Sequence, residues 1–200
     1  MTGFAPFGGE KTNPSWEAVK LLPDGMNDIE IVKELLPVTF ADAGKLVCEA
    51  IDRHAPHCVL CVGQAGGRSG ITVERVAINI NDADIADNAG VTLCDVPCVP
   101  NGPAAYFSTL PIKEIVSAVR FAGIPAFISN SAGTYVCNHV LYHALHHSAV
   151  HQRAVQTVFI HVPFLPEQTV DKNGIASMSL AEIVKALEIA VSVCAQSLKS

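Results

Sequence analysis

The order of apolar and polar positions along this chain shows two patterns, one typical of buried strands and one typical of helices. Five short segments are apolar through most of their length, and five other segments, the first of which precedes them all, repeat their apolar positions with the period of a helix. The predicted strands lie in residues 29–38, 57–64, 71–80, 125–129 and 155–163. The predicted helices lie in residues 13–22, 39–54, 110–123, 135–147 and 179–198. Apolar strands that alternate with helices predict a three-layer α/β/α sandwich with a mainly parallel, twisted central sheet.

Local signals support several of these helix boundaries. Asn13 can cap the first helix, with Pro14 suited to its first position, and Thr39 is a plausible N-cap of the second helix. Ser179 and Glu182 have the spacing of a capping box at the start of the last helix. Residues 81–102 are rich in Asp, Asn, Pro and Gly, so we expect a loop there that could form part of a lid.

Length and charge narrow the functional class. The 200 residues are expected to form one domain over positions 1–200 with a sizeable core. The formal charge is -6 and no Lys/Arg cluster is present, which argues against nucleic acid or an anionic membrane as a partner. The Gly-rich residues 63–70 have neither P-loop nor Rossmann spacing, so they give no support to nucleotide binding.

The chain also lacks the usual marks of export or membrane insertion. No apolar run reaches the ~20 residues of a membrane span, and the first ten residues have no basic region followed by an apolar one. Seven cysteines, an odd number, indicate free thiols in a reducing compartment. We therefore expect a cytoplasmic protein.

Three residues stand where chemistry is expected in such a fold. Sites in open α/β sheets lie at the carboxyl ends of strands, and Cys137 and His161 both fall there. Cys137 also begins a helix, whose free N–H groups and dipole favour a thiolate and predict a lowered cysteine pKa. Glu74 is a carboxylate in an otherwise apolar strand and could orient a histidine ring.

Pattern alone leaves a purely structural alternative open. Cys137 would then be a small buried hydrophobe and His161 a satisfied core histidine, while Glu74 would pair with Arg68 or Arg75. Cysteine and histidine at the ends of helices and strands are common, and no local catalytic signature transfers between families.

Metal binding is the other alternative that the residues raise. His139, His143 and His147 have i, i+4 spacing, but they lie opposite the apolar stripe of their helix, so we expect them in solvent or at a subunit contact. Cys58, Cys61, Cys94 and Cys98 raise the idea of a four-cysteine zinc site. Residues three apart in a strand point to opposite faces, so Cys58 and Cys61 would not converge on a metal.

Five separated segments closely resemble the type I pyroglutamyl peptidases, a family of cytosolic cysteine exopeptidases. They run through nearly the whole chain in the family's order: GFAPFGGEKTNPSWEAV, GQAGGRSGITVERVAININDA, AAYFSTLPIK, SAGTYVCNH and FIHVPFLPEQ. The resemblance implies removal of N-terminal pyroglutamyl residues from peptides by a cofactor-free, metal-free enzyme. It also implies a homo-oligomer, often a tetramer in the family.

The same resemblance assigns roles to individual residues. It implies a catalytic triad of Glu74, Cys137 and His161 acting through a thioester. It further implies ring-stacking walls for the substrate, lactam hydrogen bonds to the backbone at Gln64, and additional pocket lining. The substrate-binding residues that it implies are Phe4, Phe7, Asn13, Gln64, Tyr135 and Val136.

Two departures from the family pattern keep other functions open. Asp84 stands where the motif usually has an arginine, and the apolar strand that normally precedes TGF is either shortened here or begins upstream of Met1. One alternative is therefore a relative that binds pyroglutamyl ligands without cleaving them. Another is a cysteine amidohydrolase for a different small lactam or acyl amide.

Overall fold

The structure, a computed structural model, describes residues 1–26 and 29–198. Its strands are β1 (Thr2–Phe4), β2 (Gly25–Met26), β3 (Ile29–Glu30), β4 (Glu34–Leu36), β5 (Cys58–Gln64), β6 (Ile71–Glu74), β7 (Val76–Ile78), β8 (Ala105–Phe107), β9 (Ala126–Ser129) and β10 (Gln156–Val162). Its α-helices are α1 (Pro14–Leu21), α2 (Ala43–His54), α3 (Ile112–Phe121), α4 (Val136–Val150) and α5 (Leu180–Ser197). A single 3-10 turn covers Pro166–Gln168 within the described ranges.

The central sheet confirms the predicted mainly parallel arrangement. Its six strands lie in the order β4-β1-β5-β10-β6-β9. Strands β4, β1, β5 and β10 are parallel to one another, and β6 is antiparallel to β10 and parallel to β9. The middle of the sheet is therefore the β5-β10-β6 group, whose strands are buried over most of their length.

Helices cover both faces of this sheet and complete the three layers. One apolar cluster packs α1, α3 and α5 against one face. A second cluster packs α2 and α4 against the other face. None of the helices in the described part of the chain is long and apolar enough to cross a membrane.

Strand β1 is present although it begins at the second residue. Thr2–Phe4 pairs in parallel with Glu34–Leu36 on one side and with Cys61 of β5 on the other. The Phe4 N–H also donates to the Ser15 hydroxyl (3.0 Å), which joins the end of β1 to α1. The three-residue strand thus fixes where the chain leaves the sheet at Phe4.

Residues 71–80 were expected to form one strand, and that prediction is wrong. The segment divides at Arg75 into β6, in the main sheet, and β7, which pairs with β8 in a separate ribbon. The cause is a competing partner, because Asn138 of α4 accepts from the Ile78 N–H and donates to the Ile78 carbonyl, both at 2.9 Å. Glu74 is consequently the last residue of its strand.

The predicted strand over 29–38 is likewise two pieces. β3 pairs only with β2, while β4 joins the main sheet beside β1. Thr39 is not the N-cap of α2, because the helix begins after Asp42 and the Thr39 hydroxyl donates to the Asp42 carboxylate (3.1 Å). By contrast, the Asn13 cap of α1 and the capping box of α5 are confirmed.

The histidine face of α4 was expected in solvent or at a subunit contact, and this is wrong. His139 is only 6% exposed, and the His139 and His143 rings pack against α2. A Cβ on Gly44 would lie 2.7 Å from atoms of both rings, so the absent side chain lets the two helices approach. His147 reaches the Asp52 carboxylate of α2 at 2.9 Å.

Candidate active site

A cavity of about 400 Å³ opens beside the middle of the sheet. It brings together every sequence-predicted site residue except Glu74, which lies immediately behind His161. The cavity is lined by Phe4, Phe7, Asn13, Val38, Gln64, Asp82, Ala83, Asp84, Ile85, Ala132, Thr134, Tyr135, Val136, Cys137 and His161. Residues far apart in sequence therefore converge on one concave surface.

Cys137 is the second residue of α4, and the local sequence leaves that helix end open. The chain turns at Gly133, whose φ of 80° is in the region that favours glycine. Tyr135 occupies the N-cap position and makes no side-chain cap hydrogen bond. The N–H groups of the first turn are therefore not consumed by a capping side chain and are available to a ligand.

His161 and Glu74 form a buried pair. His161 Nδ1 donates to Glu74 Oε1 over 2.7 Å, and the side chains are 4% and 0% exposed. Thr72 is opposite His161 in the β6–β10 register, so Glu74, two residues further, lies on the same face of the sheet. Because Nδ1 is engaged by the carboxylate, Nε2 is the ring nitrogen left for proton exchange.

Arg68 is the cation of this group. Its Nη1 donates to Glu74 Oε1 at 2.6 Å and also contacts the Thr72 hydroxyl. The sequence left open whether Glu74 pairs with Arg68 or Arg75. Arg75 instead donates to the Asn130 side-chain oxygen (2.8 Å), so the partner is Arg68.

Gly63 is a neighbour of both His161 and Cys137. It is the register partner of His161 across β5 and β10. A Cβ at Gly63 would lie 2.9 Å from Cys137 Sγ and 2.7 Å from the Phe159 ring. The sulfur thus occupies space that any side chain at this position would take.

The electrostatics describe a neutral resting thiol. Burial, followed by the nearby charge of Glu74, raises the pKa of Cys137 to about 12, against a smaller lowering effect of Arg68. Burial also lowers the pKa of His161, which Glu74 partly opposes. The expected lowering of the cysteine pKa is therefore wrong, because loss of hydration outweighs the effect of the helix terminus.

Glu74 remains ionised despite its burial. Burial acts to raise its pKa, but the hydrogen bond and charge of His161, with contributions from Ser129 and Arg68, lower the pKa below its ordinary value. The site therefore consists of a thiol, a neutral imidazole, a carboxylate and a guanidinium.

Aromatic rings form the apolar side of the cavity. Phe4 is buried with its ring centroid 6.3 Å from that of Phe159, which fixes its orientation. Phe7 lies 6.2 Å from Tyr135, and Phe40 meets Tyr135 edge-on at 5.5 Å. A flat, uncharged group would meet ring surfaces on this side.

Asn13 holds the loop after β1, which carries the Phe7 ring and follows Phe4. Its Oδ1 accepts from the Ser15 N–H (3.1 Å) and the Ser15 hydroxyl (2.8 Å), and its Nδ2 donates to the Ala5 carbonyl (2.9 Å). Ala5 lies between Phe4 and Phe7, so the helix cap also fixes the loop after β1.

Gln168 is a site residue that the sequence analysis missed. Its Nε2 donates to Gln64 Oε1 (3.0 Å) and to Glu10 Oε2 (3.1 Å), and it is buried. Glu10 in turn pairs with Lys172. This network connects the pocket wall at Gln64 to the loop after β1. No pattern signal marks a glutamine in a 3-10 turn, whereas Gly63 was visible as a glycine inside an apolar strand.

The mouth of the cavity carries negative charge. Asp82 and Asp84 line it, both are exposed, and neither forms an ion pair with any of the residues 1–26 and 29–198. The lining contains no Lys or Arg within the same ranges. In the part of the chain that the structure describes, no group of three or more His, Cys, Asp or Glu side chains could hold a metal ion.

Comparison with known proteins finds close relatives over almost the full length. A family profile described as pyroglutamyl peptidase matches residues 1–197. A pyrrolidone-carboxylate peptidase of Yersinia pestis (strain Pestoides F) is 52% identical over 197 residues, covering 98% of this chain and 92% of the relative.

Solved structures give the same picture. The crystal structure of pyroglutamyl peptidase I from Bacillus amyloliquefaciens superposes with a TM-score of 0.94 at 47% identity, covering 98% of this chain and 95% of that one. A mutant pyrrolidone carboxyl peptidase from the hyperthermophile Pyrococcus furiosus gives a TM-score of 0.95 at 44% identity, covering 98% and 97% of the two chains.

Proposed function

Because the chain belongs to the pyroglutamyl peptidase family, we propose that Cys137, His161 and Glu74 are the residues with which it hydrolyses the N-terminal pyroglutamyl bond of peptides. The protein is a cysteine-type hydrolase of the omega peptidase class. The observation that carries the residue assignment is the 2.7 Å hydrogen bond from His161 to Glu74 beside a cavity that also exposes Cys137.

The first step is acyl transfer to the thiol. Cys137 Sγ attacks the pyroglutamyl carbonyl carbon as His161 Nε2 takes the thiol proton. The imidazolium that forms is stabilised by Glu74, whose charge is retained in the buried pair. His161 then gives the proton to the departing amine, which leaves a thioester on Cys137.

The second step is hydrolysis of that thioester. His161 accepts a proton from water as the water attacks. When the carbon–sulfur bond breaks, His161 returns that proton to the sulfur, which regenerates the thiol and releases pyroglutamic acid. The N–H groups of the first turn of α4, which no side chain caps, supply donors for the oxyanion of both tetrahedral intermediates.

Specificity is assigned to the aromatic side of the cavity and to the backbone at Gln64. Phe4, Phe7 and Tyr135 offer ring surfaces to the lactam, and Val136 and Asn13 complete the wall. A prolyl group lacks the ring carbonyl and would leave the polar groups at Gln64 without partners, so we expect it to be rejected.

The test is release of a fluorophore from a pyroglutamyl amide by reduced protein. Wild type, Cys137→Ala and Glu74→Gln are compared on this substrate, and wild type is also tested on the matching prolyl amide. Turnover that is lost in Cys137→Ala, reduced by about two to four orders of magnitude in Glu74→Gln, and absent on the prolyl amide is the expected result.

Other outcomes would separate the parts of the assignment. Activity that survives in Cys137→Ala would remove Cys137 as the nucleophile. Undiminished activity of folded Glu74→Gln would remove the carboxylate from the mechanism. Equal rates on the prolyl amide would show that the ring carbonyl is not recognised.

The proposal extends to the form of the protein. One domain over residues 1–200 is supported by the family match to residues 1–197, and a cytoplasmic location by seven cysteines that are all free. A homo-oligomer, with a tetramer as the family expectation, fits the nearly full exposure of Phe121 and the 69% exposure of Phe107. Light scattering coupled to size exclusion tests this, and a monomer at micromolar concentration would contradict it.

A further inference from the structure

We propose that Arg68 is a positioning residue of this enzyme, holding Glu74 as the oriented carboxylate and supplying a fixed positive charge beside Cys137 and His161. The inference rests on the triad proposed above and adds a fourth group to it. Arg68 is not among the cavity-lining residues and acts through its neighbours.

Geometry places Arg68 against the far side of the Glu74–His161 pair. Its Nη1 lies 2.6 Å from Glu74 Oε1, the same oxygen that accepts from His161 Nδ1 at 2.7 Å. Arg68 Nη1 also contacts the hydroxyl of Thr72, which lies two residues before Glu74 in β6. This contact anchors the guanidinium to the same strand. Arg68 is 29% exposed and Glu74 is fully buried, so the cation closes the carboxylate off from solvent.

A buried carboxylate with one neutral partner would be costly to keep charged. Without Arg68, Glu74 would face His161 from β10, the Cys137 thiol from α4 and the Ser129 hydroxyl from β9, and none of these is a permanent cation. A guanidinium stays protonated at every working pH, so Arg68 compensates the carboxylate whether His161 is neutral or charged.

The same charge acts on the other two groups. Arg68 lowers the pKa values of Cys137, His161 and Glu74 alike, although burial is the largest influence on each. For Cys137, the opposing charges are those of Glu74 and, were it ionised, Cys61. Loss of the guanidinium therefore raises the pKa of all three groups, and the direction does not depend on which of them limits the rate.

The consequence is a displacement of the pH profile. We expect the profile of kcat/KM for Arg68→Met to move to higher pH by about one unit or more, because a charge within ~4–6 Å shifts a pKa by about 1–3 units. Arg68→Lys restores the position of the profile even where its maximum rate is lower, since it retains the charge but not the planar fork.

Arg75→Met is the matched control. It likewise removes one arginine, and Arg75 is the sequence neighbour of Glu74. The Arg75 side chain, however, donates to Asn130 and not to the carboxylate. Its profile should coincide with that of wild type. Thr72→Val removes the anchor while keeping the charge, and is expected to give a displacement in the same direction but smaller than that of Arg68→Met.

A second measurement does not depend on turnover. The rate of Cys137 alkylation by iodoacetamide, followed by mass spectrometry of the intact and digested protein, reports the thiolate as a function of pH. It is expected to show the same displacement to higher pH in Arg68→Met. Thermal melting of each variant identifies any that does not fold, in which case Arg68→Lys and Thr72→Val carry the comparison.

The outcomes separate this inference from the proposed function. The role of Arg68 would be overturned if wild type turns over substrate while folded Arg68→Met keeps the wild-type pH profiles of both kcat/KM and alkylation. The peptidase assignment would then remain intact. A uniform loss of rate at every pH would also overturn it, because that marks a structural role. Absence of turnover in wild type would contradict the proposed function, while the alkylation profiles would still decide the role of Arg68.

Discussion

The backbone of Gly63 lies directly against the sulfur of Cys137. A Cβ built on Gly63 would be 2.9 Å from Cys137 Sγ, closer than a real Cβ approaches a neighbouring atom. Gly63 is also the sheet neighbour of His161. One residue without a side chain therefore lies next to both Cys137 and His161, which line the same cavity.

Gly63→Ala is expected to lower both the activity and the stability of the protein. The added methyl displaces either the sulfur or the Phe159 ring, and overpacking of this kind costs about 1–3 kcal/mol. If Cys137 is the nucleophile as proposed, its displacement costs alignment with the substrate, so we expect kcat to fall at least about tenfold. Steady-state kinetics and thermal melting of the same preparation measure the two effects.

Gly25→Ala is the control for that substitution. A Cβ there would have its nearest neighbour, the Ile29 carbonyl oxygen, at an ordinary 3.6 Å. We expect wild-type kinetics from this variant. If Gly63→Ala also retained wild-type kcat, the close approach to Cys137 would have no catalytic meaning.

Asp84 is expected to favour substrates whose second residue is basic. The exposed carboxylates of Asp82 and Asp84 line the mouth through which the leaving peptide must extend, and the described lining offers no cation. We expect kcat/KM at low salt to be about two- to fivefold higher for a pyroglutamyl-lysine amide than for a pyroglutamyl-glutamate amide.

The charge preference should vanish in two ways. Asp84→Asn should reduce the ratio of the two rates, and so should raising the salt concentration, because both weaken an exposed Coulomb attraction. Asp171→Asn, an exposed carboxylate outside the cavity lining, should leave the ratio unchanged. A salt-independent ratio would assign the preference to shape and not to charge.

Gln168→Leu is expected to raise KM with a smaller effect on kcat. The substitution removes the amide that joins Gln64 to Glu10 and leaves the Gln64 side chain without this partner, so the backbone proposed to bind the lactam loses its support. Steady-state kinetics on a pyroglutamyl amide give both constants. Glu167→Gln changes the exposed neighbour in the same turn and should have wild-type KM. A fall in kcat alone would place Gln168 with the reacting groups.

His139 is expected to make the fold sensitive to acid. Burial, with the neighbouring His143, lowers the pKa of His139 to about 3, while a histidine in the unfolded chain titrates near its ordinary 6.5. Stability from the neutral ring is complete above pH 6.5 and is lost as the pH falls from there toward 3, approaching about 1.4 kcal/mol per pH unit. The groups facing the ring are Asn81, Phe40, Gly44 and His143.

Denaturant unfolding between pH 7 and pH 5 measures this effect. The slope of the free energy of unfolding against pH should be shallower in His139→Gln than in wild type, whatever the change in absolute stability. His57→Gln, at an exposed position, should keep the wild-type slope. Equal slopes in all three proteins would mean that His139 does not take up a proton on unfolding in this range.

Periodicity predicted the layers of the fold because most segments obey a single local pattern. It failed where a tertiary partner competes with that pattern. Asn138 captures Ile78 and breaks the strand that begins at Ile71. The histidine face of α4 was assigned to solvent or to a subunit contact because no sequence signal shows that Gly44 allows α2 to pack against it.

The sequence predicted the residues of the candidate site better than their contacts and pKa values. The sequence named Glu74, Cys137 and His161 but could not decide between two arginine partners for the carboxylate. It also gave the wrong direction for the pKa of Cys137, because the effect of a helix terminus can be read from sequence whereas the extent of burial cannot. Gln168 was missed since its role depends on contacts with residues more than 100 positions away.

The hydrogen bond between Glu74 and His161 spans 87 positions of the chain, and Cys137 lies on a helix between them. During synthesis on the ribosome, Glu74 and Cys137 emerge before the strand that carries His161. A nascent chain that has not yet docked β10 between β5 and β6 thus lacks the proposed base for its thiol. Onset of peptidase activity in a translation reaction would therefore report completion of the sheet.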